Sequence, residues 1–128
     1  MAQASDVLAV AVREIGTVEQ SGNRQKYGKA YGMDGVYWCM QFVWWCFQQV
    51  DKTLFMDGGK TASCGELMRW AQAHGQWVTT GYRPGDVYKR QSLYDSAFFP
   101  FGTKTTISSF SSSSVSISEN PCSISLAL

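Results

Sequence analysis

Tyr37-Trp38-Cys39-Met40-Gln41-Phe42-Val43-Trp44-Trp45-Cys46-Phe47 is the densest aromatic stretch of the chain, and its reading decides the fold. From Cys39 onward, Val43, Cys46, Phe47 and Val50 recur at three- and four-residue steps, the period of one helix face. Just before it, Gly28-Lys29-Ala30-Tyr31-Gly32-Met33-Asp34-Gly35 is glycine-punctuated and reads as non-helical. Cys39 is therefore expected at or beside a helix N-terminus. Unpaired N–H groups and the positive dipole end gather there and favour a thiolate over a thiol. Such a sulfur can serve as a nucleophile near neutral pH. The competing reading is packing, because most cysteines of apolar helices simply fill space. Cys46, one heptad on, is expected to do that.

On the N-terminal side, Ser5 is the expected N-cap of a first helix, with Asp6 in its first turn and Gly16 as the stop. Leu8, Ala11, Val12 and Ile15 form its apolar stripe. Thr17 to Gly35 reads as a long polar connection, with Tyr27 and Tyr31 as satellite core. On the C-terminal side, Asp57-Gly58-Gly59 marks a turn. Ser63-Cys64-Gly65-Glu66 matches a capping box, serine with a glutamate three residues later. Leu67, Trp70 and Ala71 then give that helix its buried face, and Gly75 ends it. Gln76 to Thr80 alternates weakly, as a short strand would.

Several of these motifs together resemble the N-terminal half of CHAP domains, the cysteine- and histidine-dependent amidohydrolases/peptidases of phage endolysins and bacterial wall hydrolases. The residues that carry the resemblance are Asn23-Arg24-Gln25-Lys26-Tyr27-Gly28, Tyr31-Gly32-Met33-Asp34-Gly35, Trp38-Cys39, Phe42-Val43 and Trp45-Cys46-Phe47, within about residues 4 to 87. The resemblance implies an α+β, papain-like (NlpC/P60-like) fold, with the helical half present and the antiparallel sheet half truncated or replaced. It implies Cys39 as the catalytic nucleophile, peptidoglycan as the partner, and no metal or other cofactor. Tyr37 and Trp38 flank the nucleophile and are candidate substrate-binding residues, although Trp38 could equally be buried beneath the cleft. The family's histidine follows a Pro-Gly-Asp turn. Here Arg83-Pro84-Gly85-Asp86-Val87 supplies the turn, but the strand and histidine do not follow. His74, the one histidine, falls in the last turn of a helix, where a cation suits the dipole and exposure is normal. Little or no lytic activity is the expectation. The alternative is a non-catalytic wall-binding or interaction module in which Cys39 is a packed hydrophobe.

Composition narrows the partners. A net charge of +1 and a pI near 7.6 recommend neither nucleic acid nor an anionic membrane. The longest apolar run, Val7 to Val12, is too short to span a bilayer and lacks the flanks of a signal peptide. A monomer, cytoplasmic at synthesis and acting on the wall after release, is expected. Cys39 and Cys46 would lie about 10.5 Å apart along one helix, too far for a disulfide. Without a CxxC pair or a His/Cys cluster of metal spacing, the four cysteines read as thiols.

Composition changes after Val87. Residues 1–87 hold three serines and all five tryptophans, whereas residues 88–128 hold twelve serines and no tryptophan. The expected division is a CHAP-like part at 1–87 and a serine-rich tail at 88–128, non-native or disordered. Asp86-Val87-Tyr88-Lys89-Arg90-Gln91 resembles a junction with foreign or frame-shifted sequence, and a genuine serine-rich extension is the alternative. Serine alternating with Val and Ile around Val115 and Ile117 could also pair as a strand.

Overall fold

The computed structural model describes residues 2–77 and, as backbone, four strand segments beyond them. The described elements are α1 (Ala4–Arg13), α2 (Lys26–Tyr31), α3 (Cys39–Gln48), a 3₁₀ turn (Met56–Gly58) and α4 (Cys64–Ala73), then β1 (Val87–Lys89), β2 (Ile107–Ser111), β3 (Ser114–Ser118) and β4 (Ser123–Ala127).

α1 begins two residues earlier than its composition suggests. Gln3, not Ser5, is the N-cap, and the Asp6 carboxylate accepts from the Gln3 backbone N–H at 2.8 Å. An acidic residue at the third helical position suits the dipole there. The buried face is Val7, Leu8 and Ala11, while Val12 and Ile15 point outward at 44% and 40% exposure. The expected stripe was thus rotated by one residue. The reason lies at Glu14, which turns inward: its carboxylate accepts from the Tyr27 hydroxyl at 2.5 Å and pairs with Lys26 Nζ at 2.6 Å.

α2 is a correction to the expected irregular connection. Gln25 caps it, its side-chain oxygen accepting from Tyr27 N at 2.6 Å and Gly28 N at 3.0 Å. Glutamine is an unusual cap, so the start carries little sequence signal. Gly32, at φ +93°, ends the helix, and Gly32 N and Met33 N both donate to the Gly28 carbonyl. The motif that carried the family resemblance is, locally, a capped helical turn.

Tyr27 sits at the centre of the core rather than in a satellite of it. It is fully buried, stacked on Trp38 at 5.4 Å and edge-on to Phe42 and Trp45 at 4.9 and 5.1 Å. Each such ring pair adds about 0.5–1.5 kcal/mol beyond area burial. α3 supplies much of the core: Met40, Gln41, Phe42, Val43 and Cys46 are all buried. Tyr31 packs edge-on against Trp44 at 5.1 Å, with Lys60 Nζ 4.1 Å over its ring.

α4 is capped by Ser63, whose hydroxyl accepts from Glu66 N at 3.3 Å. The reciprocal half of the box is absent. Thr61 takes that place, its hydroxyl accepting from Ser63 N at 3.0 Å while donating to the Glu66 carboxylate. No residue of α4 is fully buried, and Cys64 and Leu67 are only half-buried against the core. The expected interior face of this helix is therefore a margin.

The strands form one antiparallel sheet in the order β1-β4-β3-β2. β3 and β4 run opposite one another from Ser114↔Ala127 to Ser118↔Ser123, and β4 lies beside α3. Three of the four strands fall in the serine-rich segment for which disorder was the expectation, on the alternation of serine with Val, Ile and Leu that pairing needs. Most of the strand expected at Gln76 to Thr80, and the turn at Arg83-Pro84-Gly85-Asp86, lie outside the described residues; Gln76 and Trp77 are not in a strand.

Candidate active site

Cys39 is the first residue of α3. Its N-cap is Trp38, which makes no side-chain capping bond, so the first-turn N–H groups are not taken up by a cap of that kind. The dipole of the ten-residue helix favours negative charge at this position. Burial opposes it, since Cys39 is only 3% exposed.

The approach to Cys39 is the segment 33–38, held by buried groups at both ends. At its start, Met33 N donates to the Gly28 carbonyl, and the Met33 carbonyl accepts from Gln41 Nε2 at 2.8 Å. Asp34 Oδ1 accepts from Gln25 N at 3.1 Å. At its end, the Trp38 indole N–H donates to Glu19 at 2.9 Å, and the Trp38 carbonyl accepts from Phe42 N at 2.8 Å. Between the anchors, Val36 and Tyr37 stand out at 39% and 53% exposure. Tyr37 is thus exposed two residues before Cys39. Trp38 is fully buried, the second of the two placements considered for it, and its face belongs to the core with Tyr27.

Among the described residues, the other two thiols separate by environment. Cys46 is wholly buried, and that burial, with Glu14 nearby, pushes its thiol far above the ordinary range. It behaves as a small hydrophobe. Cys64 opens α4 and is half-buried. None of Cys39, Cys46 and Cys64 is in a disulfide.

His74 closes α4 on an exposed surface. Its ring stacks on Trp70 at 4.1 Å, and Nδ1 lies 2.7 Å from the Trp70 carbonyl. Both contacts are within the last turn of its own helix, so the imidazole is occupied there rather than brought to Cys39. Among the described residues, no group of three or more His, Cys, Asp or Glu side chains is placed to hold a metal ion. No described helix is long and apolar enough to cross a membrane.

Sequence reasoning passed over the residues that organise this region, namely Gln25, Asp34, Gln41 and Glu19. Glutamine and single carboxylates carry weak positional signals, and only the fold pairs them with backbone groups far along the chain. No protein-family model, curated protein or solved structure matches the chain.

Proposed function

We propose that the chain is the helical part of a papain-like, α+β cysteine hydrolase of the CHAP type, with peptidoglycan as its partner and Cys39 as nucleophile. The observation that carries this reading is the position of Cys39 as the opening residue of α3, with an exposed Tyr37 two residues before it. In this reading the Cys39 thiolate attacks an amide carbonyl of the wall peptide. The carbonyl π electrons move to oxygen, and first-turn N–H groups of α3 stabilise the oxyanion. Collapse of that intermediate breaks the C–N bond, the leaving amine takes a proton from an acid, and water then hydrolyses the thioester. That acid would have to be an imidazole, and His74 is committed to Trp70. Loss of such a partner lowers rates by several powers of ten, on the order of 10⁴. The chain as written is therefore expected to clear bacterial walls little or not at all.

Two assays test this. In a turbidity assay on purified walls, robust clearing lost in both Cys39→Ala and His74→Ala would assign the base to His74 and contradict the expected inactivity. In a labelling assay, a stem-peptide analogue carrying an electrophilic carbon at the scissile position should modify Cys39 faster than a plain chloroacetamide of matched reactivity. Equal rates would count against a substrate cleft at Cys39.

The 3% exposure of Cys39 favours a second reading, a wall-binding module without chemistry. Exposed Tyr37 and Trp77 would then provide the binding surface. Co-sedimentation with walls that survives Cys39→Ala but falls in Tyr37→Ala, with no peptide preference in the labelling assay, would select it.

A further inference from the structure

Gln41 is fully buried in the first turn of α3, two residues after Cys39, in a helix whose other buried residues are Cys39, Met40, Phe42, Val43 and Cys46. Its Nε2 donates to the Met33 carbonyl at 2.8 Å, a contact reaching back eight residues. A carbonyl can only accept, so the orientation of the amide is fixed by its partner. The other side of the same amide, Oε1, has no hydrogen-bond partner. A buried amide satisfied on one side only is a costly choice where an apolar residue would pack. Something other than packing is served by it.

We propose that Gln41 is a positioning residue for Cys39: its bond to the Met33 carbonyl latches segment 33–38 onto the first turn of α3. Release of that latch is the local opening that exposes the sulfur. The geometry gives the segment the form of a strap. Met33 and Trp38 are its fixed ends, Asp34 is tied to Gln25, and Gly35-Val36-Tyr37 form the part without a buried anchor. Gly35 supports a strap that must bend here, adopting φ +81°. The Gln41 bond joins the start of the strap to the helix that carries Cys39, as the Phe42 N–H to Trp38 carbonyl bond joins its end. The proposal deepens the reading of Cys39 as a nucleophile, yet it concerns access and can be measured without catalysis.

Cys46 supplies the internal standard. It lies on the same helix and is wholly buried, so global unfolding exposes both thiols whereas opening of the strap exposes Cys39 alone. The test is iodoacetamide labelling of the full chain, with Cys39 and Cys46 peptides quantified by mass spectrometry. In Gln41→Met, which keeps the bulk and removes the donor, Cys39 labelling should rise about tenfold while Cys46 labelling is unchanged. Parallel acceleration of both thiols would show that Gln41 only stabilises the fold, and an unchanged Cys39 rate would show no latch; either result overturns the proposal. The unmutated chain provides a second measurement should the variant not fold. There, Cys39 labelling should be insensitive to urea below the unfolding transition while Cys46 labelling climbs with it. Cys39 tracking Cys46 across urea overturns the proposal. A latch that fails in Gln41→Met leaves the stem-peptide preference at Cys39 untouched, and a lost preference leaves the latch untouched, whereas Cys39 tracking Cys46 across urea counts against both.

Discussion

At the scale of single residues, Gly28 is closely hemmed in. A Cβ there would lie 3.0 Å from Asp34 Oδ1, 3.1 Å from the Asp34 Cα and 3.1 Å from Gln25 Nε2. A shift of the Asp34 backbone would draw its carboxylate, which accepts from Gln25 N, out of that bond. Gly28→Ala is expected to lower stability by about 1–3 kcal/mol, read as a fall in the urea midpoint. Glu14 is the second such residue. Glu14→Ala leaves the Tyr27 hydroxyl buried without its acceptor, and should cost about 1–3 kcal/mol. Lys26→Ala, removing the half-exposed partner of the same carboxylate, should cost under about 1 kcal/mol. A larger loss for Lys26→Ala than for Glu14→Ala would contradict this ordering. Cys39 was legible as a helix-opening cysteine because aromatic density and period change at one residue. Its burial was not, because burial depends on contacts between positions far apart in the chain, such as the stacking of Tyr27 on Trp38.

At the scale of elements, α3 was legible because its apolar residues keep helical period over the whole ten residues. α2 was not, because it is six residues long and contains a glycine in its middle, so neither period nor propensity marks it. Its existence depends on Gln25 and Asp34, which act through the backbone. α4 shows the reverse. Its capping signal is strong in sequence, but only half of the box forms, since Thr61 takes the Ser63 N–H and holds the Glu66 carboxylate. Ser63→Ala is therefore expected to cost about 1 kcal/mol, and Thr61→Ala, which removes two bonds of a buried hydroxyl, at least as much. Thermal melts of the two variants check the order. α4 contributes no fully buried residue, so its amides should exchange with solvent faster than those of α3.

At the scale of the whole molecule, the core is a single aromatic cluster around Tyr27, closed by α1 and α3. Two of its members make stability depend on pH. Burial raises both the Tyr27 phenol and the Cys46 thiol above their ordinary values of 10.0 and 9.0, and the bond to Glu14 adds to the shift for Tyr27. The unfolded chain releases these protons first, so above about pH 9 the folded state holds more protons and stability falls as pH rises. Below that pH both groups are protonated in both states and contribute no slope. The urea midpoint should fall from about pH 9 upward, and Cys46→Ala should flatten the lower part of that fall. That α1 and α3 each carry apolar residues at helical period was readable from the sequence. The pairing of β3 with β4 was less so, because serine-rich alternation suits a solvated chain as well as a strand.

The account as a whole depends on the sulfur that opens α3 being reactive in the folded chain. The most direct measurement is iodoacetamide labelling of the native protein near pH 7, with Cys46 as the buried standard. The account predicts that Cys39 is alkylated while the chain stays folded and Cys46 stays unmodified. Labelling of Cys39 only at the rate of Cys46, as the chain unfolds, would contradict it.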